Sequence, residues 1–331
     1  MSVTRKVLLT VVLAANASPL TPSSSVIGKS KNIQSAVTST SQARSRYVSA
    51  NGIRVHYLEW GSGDSTVVLL HGLYDTSDTW AAFAPLLATH YRIIAPDRRG
   101  AGLSDKPATG YDYQTLARDV ELLIVALKLG RVYLVGHSAG AGVTMTLAAN
   151  GRNRINRFVL IDGGFWPKRE GLSAGLSVQP CEDNAAACQR RGEMERAGKE
   201  YDPEKLYNRA AVPVLLVLGV PPDEEAKEFA AELREASQHV ESVANQKLRK
   251  GQLAVIEGTS HWIQRDRPKE LALVIQQFLK SGGATKRLKP AHNQRSSKGS
   301  GLLVGPTAGS RTNGLRSSFY SEVLPKSTLI Q

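Results

Sequence analysis

Short apolar runs recur through the middle of the chain, and each stops at a cluster of Gly, Asp, His or Ser. They are Thr66–Leu70, Tyr91–Ala95, Val132–Val135, Phe158–Ile161, Val212–Leu218 and Leu253–Ile256. Runs of this length that are apolar throughout fit strands buried on both faces. Between them the apolar spacing changes to three and four. Leu116, Val120, Leu123, Ile124 and Leu127 share one face of a segment closed by Gly130. Ala226, Phe229, Ala230, Leu233, Val240 and Val243 form a second stripe, and Leu271, Val274, Ile275 and Phe278 a third. These predict amphipathic helices. Trp80, Phe83 and Leu87 mark another helical segment, and an Ala/Gly-rich helix runs to about Asn150. Ahead of the first run, Asn51-Gly52 separates two partly alternating stretches, which predicts a hairpin over Tyr47–Trp60. A hairpin followed by alternating strands and helices predicts an α/β fold: a doubly wound, mostly parallel sheet opened by an antiparallel hairpin. The rhythm breaks over 165–210, which is polar and weakly periodic.

Charge changes the picture only at the ends. The chain has 331 residues and a formal charge of +13. Residues 1–46 carry six Lys/Arg and no acid, and residues 281–331 carry eight with Glu322 alone opposing them. The stretch 47–280 holds 28 basic and 28 acidic residues, so the body is neutral. A neutral body without an aromatic-interleaved basic face argues against nucleic-acid binding and leaves the tails a weak contact with anionic surfaces. Arg5 and Lys6, the apolar run Val7–Ala15 and Ala15-Asn16-Ala17 have the layout of a signal peptide over 1–17. That layout implies a secreted or periplasmic protein; a cytoplasmic one is the alternative. Residues 18–46 read as an unstructured linker and 281–331 as a basic disordered tail, leaving one domain over 47–280. Cys181 and Cys188 share one polar segment and suit a small disulfide loop if the protein is exported. Without a histidine at ligand spacing they make no zinc site.

The candidate chemistry sits between a strand and a helix. Residues 131–145 read RVYLVGHSAGAGVTM, placing Gly-x-Ser-x-Gly on the turn. Ser138 must project alone from the sheet edge, in strained backbone. Gly136 and Gly140 lack the Cβ atoms that would collide there. The Ala139 amide, in the first turn of the helix, points toward the carbonyl under attack.

Three other special sequences end predicted strands: His71-Gly72-Leu73, Asp162-Gly163 and the loop before His261. In an open parallel sheet these ends face one crevice. The order Ser…acid…His, with the elbow GHSAG, resembles the α/β-hydrolase family. The resemblance spans about Tyr47 to Lys280 and includes DRRGAGLSDKP (Asp97–Pro107) and GTSHWIQRDRPKEL. It implies a short helical lid over about 165–210, the α/β-hydrolase sheet, no cofactor and no metal. It also implies Ser138 as nucleophile, His261 as general base, and an oxyanion hole from the Leu73 and Ala139 amides. The acid is open between Asp162, in VLIDGG, and Asp223, in the loop Gly219–Asp223. Asp223 also suits a helix N-cap.

His71, Gly72, His137, Phe165, Trp166 and Trp262 are candidate substrate-binding residues, with Trp80 a further apolar candidate. Asp97, Arg98 and Arg99 read as a structural turn, while His56, His90, His239 and His292 carry no motif. The implied reaction is serine-hydrolase cleavage of a small or medium ester or lactone, through an acyl-enzyme. Alternatives are a carbon–carbon bond hydrolase or perhydrolase with the same residues, and a non-enzymatic small-molecule receptor. The DRRGAGLSDKP segment is similar to that of epoxide hydrolases and dehalogenases, but those use Asp where Ser138 stands. Substrate identity and oligomeric state are not readable.

Overall fold

The computed structural model describes residues 42–151, 154–165, 185–222, 230–248 and 250–281. The leader, most of the linker, Trp166, Cys181, Asp223 and the C-terminal tail lie outside the described residues.

Each apolar run becomes a strand. The order along the chain is β1 (Arg44–Ala50), β2 (Ile53–Trp60), β3 (Thr66–Leu70), β4 (Arg92–Pro96), β5 (Val132–His137), β6 (Ile155–Ile161), β7 (Val214–Val220) and β8 (Gly251–Glu257). They form one sheet in the order β1-β2-β4-β3-β5-β6-β7-β8. The β1/β2 and β2/β4 pairs are antiparallel, and the rest are parallel. Asn51 and Gly52 both take positive φ at the β1–β2 turn.

Strand β1 begins at Arg44, inside the stretch expected to be linker. The reason lies on the neighbouring strands. Arg46 Nε meets Glu59 Oε2 at 2.7 Å and Arg92 Nε meets Glu59 Oε1 at 2.7 Å. The basic, acid-free composition of 18–46 hid this pairing, because the acid sits across the ladder.

Side chains alternate between two cores. Val68, Leu70, Leu134, Leu160 and Leu216 face α2 (Tyr113–Ala126) and α3 (Ala139–Ala149). Val67, Leu69, Val135, Val159, Ile161 and Leu215 face Trp80, Phe83, α1 (Ala84–Ala88) and α8 (Pro268–Lys280). Trp80 is fully buried in this second core. Each buried Leu, Ile or Phe removes enough apolar surface to contribute about 1.5–3 kcal/mol, so the sheet is fixed from both sides.

The polar stretch after β6 contains α4 (Ala185–Glu200) and α5 (Glu204–Tyr207). Within α4 only Ala197 is buried, which is why apolar periodicity does not reveal the helix. Its contacts are made by longer side chains instead. The Tyr74 hydroxyl donates to Glu195 at 3.4 Å, and just past the helix end the Tyr201 ring lies 4.5 Å from that of Tyr113. Cys188, on α4, is disulfide-bonded. After β7 come α6 (Ala230–Ser242), a π-helical turn (Val243–Lys247) and, past β8, α7 (Ile263–Asp266).

Candidate active site

Ser138 occupies the turn between β5 and α3 with φ 53° and ψ −121°. Such backbone is costly for a residue with a Cβ and persists only when its surroundings fix it. Here the Ser138 N–H donates to Ile161 O at 2.9 Å, and Ser138 O accepts from Ala141 N at 2.9 Å. Glycines close the rest. A methyl group on Gly140 would lie 2.3 Å from Leu70 O, and one on Gly163 would lie 2.6 Å from Ser138 Cα. Gly163→Ala should therefore push the elbow out of place, costing about 1–3 kcal/mol of stability and most of the activity. Urea unfolding alongside an ester assay checks it; unchanged values in both would show that the elbow tolerates the shift.

Among the described residues the Leu73 and Ala139 amides donate to no acceptor. The Ala139 amide opens α3, at the positive end of that helix. Across the sheet edge, Asp162 takes φ 44° at the end of β6, and its carboxylate turns toward the loop after β8. There His261 Nδ1–H donates to Asp162 Oδ2 at 2.8 Å, with both side chains buried. The His261 loop is pinned at several points. Ser260 N and Oγ both donate to Asp266 Oδ2, at 2.6 and 2.5 Å, and Thr259 N donates to Val220 O at 3.0 Å. The structure thus pairs His261 with Asp162, whose neighbour Gly163 packs against Ser138, and places Leu73 next to Gly72, which also borders Ser138. Among the described residues no group of three or more His, Cys, Asp and Glu is placed to hold a metal ion.

Residues 65–186 match the family model described as alpha/beta hydrolase fold. The chain has the α/β-hydrolase fold. A soluble epoxide hydrolase of Corynebacterium sp. strain C12 is 40% identical to it over 112 residues, covering 34% of this chain and 39% of the relative. A 2-(acetamidomethylene)succinate hydrolase of Mesorhizobium japonicum is 39% identical over 133 residues, covering 39% of this chain and 46% of the relative. The chain thus spans about two fifths of the length of the curated relatives it matches. A crystal structure of E-2-(acetamidomethylene)succinate hydrolase superposes with TM-score 0.56 at 25% identity, covering 72% of this chain and all of the other.

In this fold, several expected substrate contacts are committed to the protein itself. His71 is fully buried; its Nδ1–H donates to Gly72 O at 2.8 Å and its Nε2 accepts from Arg98 N at 2.9 Å. His137 is also buried; its Nε2–H donates to His261 O at 2.7 Å and its Nδ1 accepts from Gln264 Nε2 at 3.3 Å. These rings brace the oxyanion loop and the main chain of His261 rather than offering a nitrogen to a ligand. Phe165 is fully buried in the first core, with its carbonyl accepting from Tyr207 Oη at 2.8 Å and His239 Nε2 at 3.0 Å. Gly72 borders Ser138, and Trp262 stands edge-on to His261 with centroids 5.6 Å apart. Trp166 and Asp223 lie outside the described residues.

Sequence reasoning missed the network behind the base. Gln264 Nε2 also donates to Thr79 Oγ1 at 3.1 Å, Arg265 Nε donates there at 3.0 Å, and Arg265 reaches Asp75 at 2.7 Å. His56 was passed over too, yet it meets Asp97 Oδ2 at 2.8 Å and Ser45 Oγ at 2.9 Å. Asp97 also accepts from the amides of Ser77 and Leu103, so it organises the turn expected to be structural. Of these, Asp97, Gln264 and Arg265 stand in the motif segments, whereas His56, Asp75 and Thr79 carry no sequence signal.

The buried histidines set a pH dependence. Burial, then the Arg98 charge, push His71 down to about 3 from the usual 6.5. Burial and the neighbouring His261 hold His137 well below its ordinary value. Unfolding returns both to near 6.5, so below that pH the unfolded chain binds more protons than the folded one. Stability present at neutral pH is therefore lost as pH falls through about 6.5, by roughly 1.4 kcal/mol per pH unit for each histidine. Urea midpoints from pH 7 to 4.5 should fall accordingly, and His137→Gln should ease the slope by that amount. An unchanged slope would mean that His137 is protonated in the fold.

Proposed function

We propose that this α/β-hydrolase is a serine hydrolase that cleaves a small or medium ester or lactone through an acyl-enzyme. The observation that carries the reading is the 2.8 Å hydrogen bond from His261 to Asp162, beside a Ser138 held at positive φ. Ser138 Oγ attacks the carbonyl carbon while His261 Nε2 takes its proton. The oxyanion is held by the Leu73 and Ala139 N–H groups. The ester C–O bond breaks, His261 returns the proton to the leaving alkoxide, and Ser138 carries the acyl group. Water then attacks the acyl carbon as His261 removes its proton. The acid departs, and Ser138 Oγ recovers the proton from His261. Asp162 is the triad acid in this scheme; it keeps the Nδ1–H tautomer and stabilises the imidazolium.

Three observations support the reading: two amides without acceptors, a serine where epoxide hydrolases carry Asp, and relatives named as hydrolases. The test is labelling by a fluorophosphonate, read by peptide mass spectrometry, with turnover of a chain-length series of nitrophenyl esters. Labelling at Ser138 and turnover by the same protein uphold the reading. Folded protein that neither labels nor turns over would support a receptor that kept the pocket.

A further inference from the structure

Arg98 follows Asp97 in the turn after β4. Its main-chain N–H donates to His71 Nε2 at 2.9 Å, and one terminal nitrogen of its guanidinium donates to Gly72 O at 2.7 Å. Gly72 borders the nucleophile, since a methyl group on it would lie 3.2 Å from Ser138 Cβ. The guanidinium is therefore held against the oxyanion loop at Gly72, the residue that borders Ser138. Tyr113, whose ring abuts Gly142 in α3, is near enough to act on the guanidinium electrostatically.

Among the described residues this cation has no counter-charge in contact. Its Nε is buried without a hydrogen-bond partner, and no carboxylate among the described residues pairs with it. Its neighbours in sequence and space differ. Arg99 makes two hydrogen bonds to Asp119, at 2.7 and 2.8 Å. Arg265 takes Asp75 Oδ1, so Asp75 acts on Arg98 only from a distance, with its second oxygen unpartnered. Burial pushes the Arg98 guanidinium down to about 10, which still leaves it charged at neutral pH. A part-buried cation with an orphan donor is expensive unless an anion completes it, and a planar carboxylate matches a guanidinium edge.

We propose that Arg98 binds a carboxylate carried by the substrate, so that the ester cleaved is one that also bears a free acid group. The proposal rests on the serine-hydrolase reading for turnover, but not for binding. The anion would complete the guanidinium and fix the scissile carbonyl near the Leu73 and Ala139 amides.

The test begins with binding, in Ser138→Ala protein. Methyl half-esters of succinate, glutarate and adipate are titrated by calorimetry against their dimethyl esters. At least one half-ester should bind about 10- to 100-fold more tightly than its diester, the gain of a charge-assisted pair. Adding Arg98→Met should remove that preference, and Arg98→Lys should keep part of it. In protein with Ser138 intact, the ratio of kcat/KM for nitrophenyl half-esters over their methyl diesters should collapse in the same way. Arg98 also braces Gly72, so the rate of fluorophosphonate labelling at Ser138 is measured in each variant. Equal losses on half-ester and diester, with labelling slowed to match, would make Arg98 a brace alone and overturn the proposal. Absence of any half-ester preference in binding would overturn it too. Failure of the hydrolase reading is distinct: Ser138 would not label, whatever the binding preference.

Discussion

Ser138→Ala should lower kcat for nitrophenyl esters by about 10⁴- to 10⁶-fold and leave the fold intact. The size of the loss follows from what remains. On the proposed mechanism the Leu73 and Ala139 amides would still hold an oxyanion, which with substrate binding would keep about 10³-fold over the uncatalysed reaction. What disappears is the covalent step, and with it the split of one difficult displacement into two easier ones. The small stability effect follows from local geometry. The Ser138 side chain makes no cap hydrogen bond to α3, and alanine bears the same φ of 53° as serine does. A steady-state ester assay, with a thermal melt of the same sample, checks both halves. His261→Ala should cost a similar factor, and the double variant little more, because the two residues act as one unit. Turnover that survives Ser138→Ala unchanged would refute the acyl-enzyme.

The parts of this architecture legible in the sequence are those set by local burial. Strands apolar on both faces, such as Val67–Leu70 and Val214–Val217, announce themselves because they lie between two helix layers. The elbow was legible for a related reason: its glycines sit where a Cβ would strike backbone, as at Gly140 against Leu70 O. Interactions that depend on register were not legible. Arg44 and Arg46 look like the end of an acid-free linker until β1 lays them beside Glu59. His56 carries no motif, yet β2 delivers it to Asp97. Helix α4 lacked a stripe because almost none of its surface is buried. At the site, residue types were readable, but the division of labour among the histidines was not. His71, His137 and His261 all stand in motif segments, and only the hydrogen-bond partners of each ring distinguish two braces from the ring paired with a carboxylate.

Asp162→Asn should cost about 10⁴-fold in kcat with little change in KM, because the side chain acts on His261 rather than on substrate. An aspartate at 2.8 Å accepts from Nδ1–H, which fixes the tautomer whose Nε2 carries no hydrogen, the one the proposed proton transfer from Ser138 requires. An asparagine in the same place can present its NH₂ to the ring. Nδ1 then becomes the acceptor and the proton moves to Nε2, where it blocks the base. Nor does the neutral amide stabilise the imidazolium formed during attack. Packing should survive, since Asn is nearly isosteric and the positive φ at this position suits it. Asp223→Asn, made in parallel, should stay within about threefold of wild type, as expected of a helix N-cap whose replacement by Asn keeps the cap. The opposite ranking would move the triad acid to Asp223. The hydrogen bond between Asp162 and His261 would then be a structural contact, and the base would need a second carboxylate to hold its tautomer.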